Sequence, residues 1–193
     1  MPVAILQAVA GTASNTSVAA VMDIERGYFD KLLLTPVPRL ALVLGRMGAD
    51  FVRAVALTTL IVIVGLIFGS GMESGVLGAV MVIVIAASFG VAYSGISLAI
   101  ALRTGSAQAA QAGFLLFFPL LFLSPAFAPK EVFSGWLEFL ATINPVTYAL
   151  EGMRYLILTG WSVESLAKAL GSVTAFAIIT VTMTLVALRW RTA

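Results

Sequence analysis

The 193-residue sequence contains no cysteine and no histidine. That removes disulfides, thiol redox pairs, the usual zinc sites and imidazole acid–base catalysis. Charge is also scarce. Eleven Lys/Arg and nine Asp/Glu make up 10% of the chain, against about 25% in ordinary soluble domains, too few to cover a soluble surface. There is no Gly-Lys dipeptide, so a phosphate loop of the G-x-x-x-x-G-K-[ST] kind is excluded. No basic patch is interleaved with aromatics, and the net charge is only +2, which argues against a nucleic-acid partner. No acidic residue is read at mid-span, which weighs against proton coupling, and no filter-like motif points to a selective channel. Met1-Pro2 lacks a following basic region, and Gln7, Thr12, Ser14, Asn15, Thr16 and Ser17 are too polar for a secretory signal core.

What remains is apolar: 61% of residues are hydrophobic and the mean hydropathy is +1.07. Charge-free windows run over 1–22, 54–72, 74–102, 104–129 and 169–188. A helix of roughly 20 residues crosses the hydrocarbon core, so five spans are expected. The second is read as starting near Leu40, with Arg46, Asp50 and Arg53 on one face of its first turns and an Arg46–Asp50 ion pair. If alternate loops lie on alternate sides, eight basic residues fall on one side (Arg26, Lys31, Arg39, Arg46, Arg53, Arg103, Arg189, Arg191) and Lys130, Arg154 and Lys168 on the other. The basic side is expected to be cytoplasmic. The C-terminus then lies inside and the N-terminus outside, and a further span is expected to be missing from the front.

Several segments interrupt this pattern. Val132, Phe133, Trp136, Leu137 and Leu140 recur at helical spacing opposite Lys130, Glu131, Ser134 and Glu138, which predicts an amphipathic helix. Asn144-Pro145 ends it. A second apolar run follows from Val146 to Leu158, carrying Glu151 and Arg154, an i, i+3 pair read as structural. With Trp136, Tyr148, Tyr155 and Trp161 as an interfacial belt, both are predicted to lie in, or dip into, the outer leaflet. Gly65/Gly69 and Ala86/Gly90/Ser94 repeat every four residues, the spacing that lets helices approach closely. Tyr93, Ser94 and Ser97, Gln108 and Gln111, and Thr12, Asn15 and Thr16 are polar groups inside spans, serving helix–helix pairing or a polar path. Pro119, Pro125 and Pro129 are expected to kink or end the fourth span.

The densest charge cluster lies between the first two spans, where Glu25, Arg26, Asp30 and Lys31 fall within seven residues. Ile24, Tyr28, Phe29, Leu32 and Leu33 against Asp23, Arg26 and Asp30 predict a short amphipathic helix, stopped by Pro36 and Pro38. Mixed charge gives little attraction to anionic lipid and suits a protein partner better.

Two motifs carry a family resemblance: Glu25-Arg26-Gly27, Leu32 and Thr35-Pro36 with Arg39, and Asn144-Pro145, Tyr148, Glu151-Gly152 and Arg154. In this order and spacing the chain resembles the type-2 ATP-binding-cassette export permeases, most closely the daunorubicin-resistance-like subgroup. The resemblance implies an all-α, polytopic membrane helical bundle. It has six spans in the family and five here, over a single permease domain spanning 1–193 that lacks the N-terminal span. It also implies a cytoplasmic coupling helix at about Asp23–Thr35, with Glu25, Arg26, Gly27, Tyr28, Asp30, Lys31, Leu32, Thr35 and Pro36 set against a separate nucleotide-binding ATPase. Asn144, Pro145, Tyr148, Glu151 and Arg154 become an exit-side motif, and the segments Met1–Met22 and Ala107–Phe127 face the translocation path. A second permease copy, identical or not, completes the assembly in a bacterial cytoplasmic membrane. ATP and Mg belong to the partner, with no cofactor or catalytic residue in this chain. The implied activity is export of a lipophilic or amphipathic drug, lipid or glycan. Composition and packing motifs alone also fit a non-transporting accessory or immunity protein. A lipid-modifying membrane enzyme has only Glu151 and Arg154 to offer.

Overall fold

A computed structural model describes residues 1–28, 31, 39–127 and 132–191; their regular structure is all helix, joined by short turns, with no strand among them. The helices are α1 (Pro2–Glu25), α2 (Arg39–Ile67), α3 (Gly75–Thr104), α4 (Ala107–Leu115), α5 (Phe117–Phe122), α6 (Trp136–Ile143), α7 (Pro145–Leu158) and α8 (Val163–Arg191). Three of them, over Ala41–Ile67, Gly75–Thr104 and Val163–Trp190, are long and apolar enough to cross a membrane. Two other windows read as spans fall short of that measure for different reasons. The 24 residues of α1 are long enough, but its run of Ser, Thr and Asn makes it less apolar. The fourth window is divided into α4 and α5 around Leu116. Pro119 has no N–H for the Leu115 carbonyl, which breaks the ladder there. Pro125 follows the end of α5 by three residues and disfavours helix just before it, with Ser124 turning back through its Oγ onto the Leu121 carbonyl at 2.6 Å. Pro129 lies outside the described residues.

The bundle is organised around α3. That helix is apolar on every side, the signature of a central position, and it packs against α1, α2, α4, α7 and α8. Phe89 and Tyr93 form an aromatic cluster with Phe117 of α5 and Phe176 of α8, ring centroids 5.7–6.3 Å apart. Tyr93 is buried, and its hydroxyl donates to the Gly113 carbonyl at 2.6 Å, so this polar group within the span serves pairing between helices. Ser97 does the same with Ser14, Oγ to Oγ 3.2 Å. Small residues set the spacing. Gly90 lies so close to Val9 of α1 that a β-carbon would overlap it, and at Gly95 a β-carbon would come within 2.7 Å of Thr180 on α8. The Gly65/Gly69 pair divides: a β-carbon on Gly65 would come within 2.5 Å of the Met1 sulfur, so a close approach exists there, but not at Gly69. Gly69 has φ +83°, lies past the end of α2, and a β-carbon there would meet nothing within 4 Å. It therefore closes a helix instead of packing two helices together.

The expected pair of outer-leaflet helices divides into unlike halves. The first begins only at Trp136, after Gly135, and α6 buries just Ala141, leaving Trp136, Phe139 and Ile143 exposed. Lys130 and Glu131 lie outside the described residues. The second half is not at the periphery. Leu150, Met153 and Leu156 of α7 are fully buried in the main core with Ile85 and Val173. The cause is Gly152, which brings α7 against Ala169 of α8 so closely that a β-carbon there would sit 2.6 Å from the alanine methyl.

Candidate functional site

Two clusters singled out in the sequence lie at opposite ends of the bundle. At one end, α1 runs to Glu25 and the chain turns at Arg26-Gly27. The amides of Arg26 and Gly27 donate to the Met22 and Ile24 carbonyls, both at 3.0 Å. Gly27 then takes φ +68°, a left-handed conformation open to glycine and strained for other residues. Tyr28 and Lys31 are again helical, and the Lys31 amide donates to the Gly27 carbonyl at 3.3 Å. Asp23, Ile24 and Glu25 thus belong to the end of α1, and any separate helix in the charged loop begins after Gly27, not at Asp23. Glycine's stop signal overrides the amphipathic spacing. Glu25, Arg26, Tyr28 and Lys31 are exposed or reach the surface, Tyr28 at 54%. Asp30, Leu32, Thr35 and Pro36 lie outside the described residues.

The expected Arg46–Asp50 pair does not form. Arg46 Nη2 instead reaches Asp23 Oδ2 of α1 at 2.5 Å, while Asp50 lies 3.8 Å from Arg53. Arg53 also donates to Thr16 Oγ1 at 2.7 Å. Spacing along α2 alone could not show that the end of α1 lies nearer to Arg46 than its own helical neighbour. Asp50 is 6% exposed, among Thr16, Ser94 and Arg53. Asp50 is thus a buried carboxylate of α2, the helix in whose first turns the sequence reading placed it.

At the opposite end the Asn144-Pro145 motif is a helix cap. Pro145 opens α7 at N1 and Asn144 Oδ1 accepts from the Val146 amide at 3.0 Å, the preferred chemistry for those two positions. Asn144 Nδ2 donates to the Leu120 carbonyl at 2.5 Å. That carbonyl is one of the orphans at the end of α5, because the Ser124 amide turns to Leu121 instead. Tyr148 closes the α6–α7 hairpin by donating to the Thr142 carbonyl at 2.7 Å, and Arg154 donates to the Pro125 carbonyl at 3.0 Å. The structural Glu151–Arg154 pair is absent from the ion pairs among the described residues; Arg154 turns to the backbone instead. Tyr148, Glu151, Arg154 and Tyr155 line a polar cleft of about 650 Å3, closed on the far side by Glu164 and Lys168 of α8. The sequence reading gave no role to Glu73 or Ser74, and it took Trp161 only as part of an interfacial belt. The amides of Glu73 and Ser74 donate to the last carbonyls of α7, Ile157 (3.1 Å) and Leu156 (3.3 Å), and Ser74 Oγ reaches Leu156 as well. Trp161 Nε1 donates to the Ser74 carbonyl at 3.3 Å. No local signal marks a bond across 82 residues; only the Gly-Met-Glu-Ser-Gly turn between two spans hints at it.

Between the two ends, α1 packs beside α4, with Gly11 against Phe114. The outward faces of this pair carry amides: Gln7 and Asn15 on α1 and Gln108 and Gln111 on α4 are all exposed.

Residues 1–158 match the family model for the ABC-2 type transporter. The chain belongs to the ABC-2 type transporter family. Curated relatives of this ABC-2 chain include the daunorubicin resistance ABC transporter permease protein DrrB1 of Streptomyces coeruleorubidus, 28% identical over 76% of the chain and 50% of the relative. The putative transport permease ycf38 of Porphyra purpurea is 30% identical over 81% of the chain and 55% of the relative. The probable doxorubicin resistance ABC transporter permease protein DrrC of Mycobacterium tuberculosis is 24% identical over 78% of the chain and 56% of the relative. The chain therefore spans about half the length of the curated relatives it matches. No solved structure matches it.

Proposed function

We propose that this chain is the membrane-spanning part of an ATP-driven export permease, with ATP and Mg bound and hydrolysed on a separate nucleotide-binding subunit and two permease copies pairing in a bacterial cytoplasmic membrane. The reading rests first on family membership. The structural observation that carries it is the exposed, mixed charge of Glu25, Arg26 and Lys31 at the turn that the left-handed Gly27 makes at the end of α1. It stands at the end of the bundle that holds Arg46 and the closing turns of α3. On this reading that end is cytoplasmic and residues 25–36 form the surface that docks on the ATPase. ATP-driven closure of the ATPases would then shift the permease pair between inward- and outward-facing populations.

The exposed amides of α1 and α4 support the same reading. An amide facing hydrocarbon has no partner there and is costly, so a face bearing Gln7, Asn15, Gln108 and Gln111 suits a water-accessible path or a second copy. On this reading α1 and α4–α5 count as spans despite their polarity and their break, giving five here. The cleft at Tyr148, Glu151 and Arg154 lies on the exit side, and the cargo is lipophilic or amphipathic, in keeping with the drugs named for two of the relatives.

The test is co-purification with a nucleotide-binding ATPase subunit. Reversing Asp30 and Lys31 (Asp30→Lys with Lys31→Glu) should abolish the complex without unfolding the permease. A complex that survives both this double change and Gly27→Pro sinks the docking assignment.

A further inference from the structure

Between α3 and α8, at the end of the bundle where α3 closes, lies a groove of about 320 Å3. Its walls are Ala99 and Ile100 on one helix and Met183, Val186 and Ala187 on the other, with Arg103 and Trp190 at the mouth. The polar Thr182 in its wall is already satisfied, donating to the Ile178 carbonyl at 2.7 Å. Arg103 lies in the last turn of α3 and is exposed, its guanidinium carbon 5.7 Å from the centre of the Trp190 ring. Among the described residues no carboxylate forms an ion pair with it.

Each of these features has a meaning at membrane depth. Both helices are of span length, so a sideways-opening apolar groove between them faces hydrocarbon and accommodates an acyl chain. An arginine and a tryptophan in the closing turns of two adjacent spans stand at the level of the headgroups. A guanidinium placed over an indole ring still has N–H groups to offer, and its planar fork matches two oxygens of a phosphate. A basic pocket between spans at such a level is a recognised setting for an anionic headgroup. We propose that the groove holds one anionic phospholipid, its phosphate on Arg103 and one acyl chain along Ile100, Met183 and Val186. The charge decides the occupant, since among the described lining residues the groove has one cation, Arg103, at its rim and apolar walls below. This assignment does not depend on the transport reading.

The experiment is native mass spectrometry of the full chain released from detergent micelles containing phosphatidylglycerol or phosphatidylcholine with identical acyl chains. The wild type should retain phosphatidylglycerol about fivefold more, the effect of one basic side chain near an anionic surface. Arg103→Gln should bring retention of the two lipids level, and Arg103→Lys should keep only part of the preference. Val186→Trp, which fills the groove from a half-exposed position, should lower retention of both. The proposal is overturned if Arg103→Gln keeps the preference, if Arg26→Gln at the same end removes it equally, or if Val186→Trp leaves retention unchanged. It is also overturned if the variants change the oligomeric state in detergent instead, since a second copy of the chain would then be the occupant.

Discussion

The two ends of the bundle use their polar residues in opposite ways. At the Ser74 end they are turned inward onto helix termini: Ser74 and Glu73 onto the last carbonyls of α7, Asn144 onto Leu120, Arg154 onto Pro125 and Trp161 onto Ser74. Every one of those acceptors is a backbone group at a helix end or turn, where the regular ladder runs out. At the Arg103 end, apart from the Asp23–Arg46 pair, several charges point away from the fold. Glu25, Arg26 and Lys31 are exposed and form no ion pair among the described residues, and Arg103 meets only an aromatic ring there. An end whose polar groups satisfy one another is architecture and should be sensitive to substitution. An end whose charges are left over is a surface for something else, and substitutions there should alter binding while leaving the fold intact.

The contrast can be broken first at its strongest point. Gly152→Val places a β-carbon into the contact with Ala169, and overpacking of this kind costs about 3 kcal/mol. Thermal unfolding in detergent should show a large drop; an unchanged midpoint would mean that close α7–α8 contact does not hold the hairpin in the core. Asn144→Ala comes next. It strips the cap from α7 and leaves the Leu120 carbonyl without the donor that Asn144, itself only 5% exposed, supplies. The expected loss is about 2 kcal/mol, combining a lost N-cap with an orphaned buried acceptor. Asn144→Asp keeps the cap but not the donor, so it should recover only part. Ser74→Ala should be milder, about 1 kcal/mol, because the Ser74 and Glu73 amides still reach α7. If it matched the Asn144→Ala loss, the side chain and not the backbone would be closing that helix.

Local chemistry was legible in the sequence and partner choice was not. Asn144-Pro145 reads in sequence as a break, and the structure shows that the same pair also starts α7, because Asn at N-cap and Pro at N1 satisfy requirements of that backbone alone. Pro119 is expected to kink or end the fourth span, and the helix is broken at Leu116; the central place of α3 is not read from the sequence, though its unbroken apolarity accords with it. The burial of α7 was hidden because it depends on Gly152 meeting Ala169 and on a turn 82 residues earlier in the chain. The Arg46 pairing was misread for the same reason. Helical spacing ranks neighbours within α2, whereas Asp23 arrives from another helix. Of the candidate docking turn, the sequence showed the charge but not its start, since Gly27 sets that boundary by its backbone conformation.

Asp23–Arg46 is the sharpest remaining test because it is a polar tie at the end held to lack them. Its side chains are 35% and 20% exposed, so water weakens the attraction and holding two long side chains in one geometry costs entropy. A pair in that setting contributes about 0.5 kcal/mol. A double-mutant cycle with Asp23→Asn and Arg46→Gln, read by thermal unfolding, should return a coupling of that size, falling as salt is raised because exposed charges are screened over about 10 Å at 0.1 M. A coupling above about 2 kcal/mol that salt left untouched would show the pair behaving as a buried one. The Arg103 end would then be knit together by polar contacts as the Ser74 end is, and the leftover charges beside it could no longer be read as a surface kept clear for a partner.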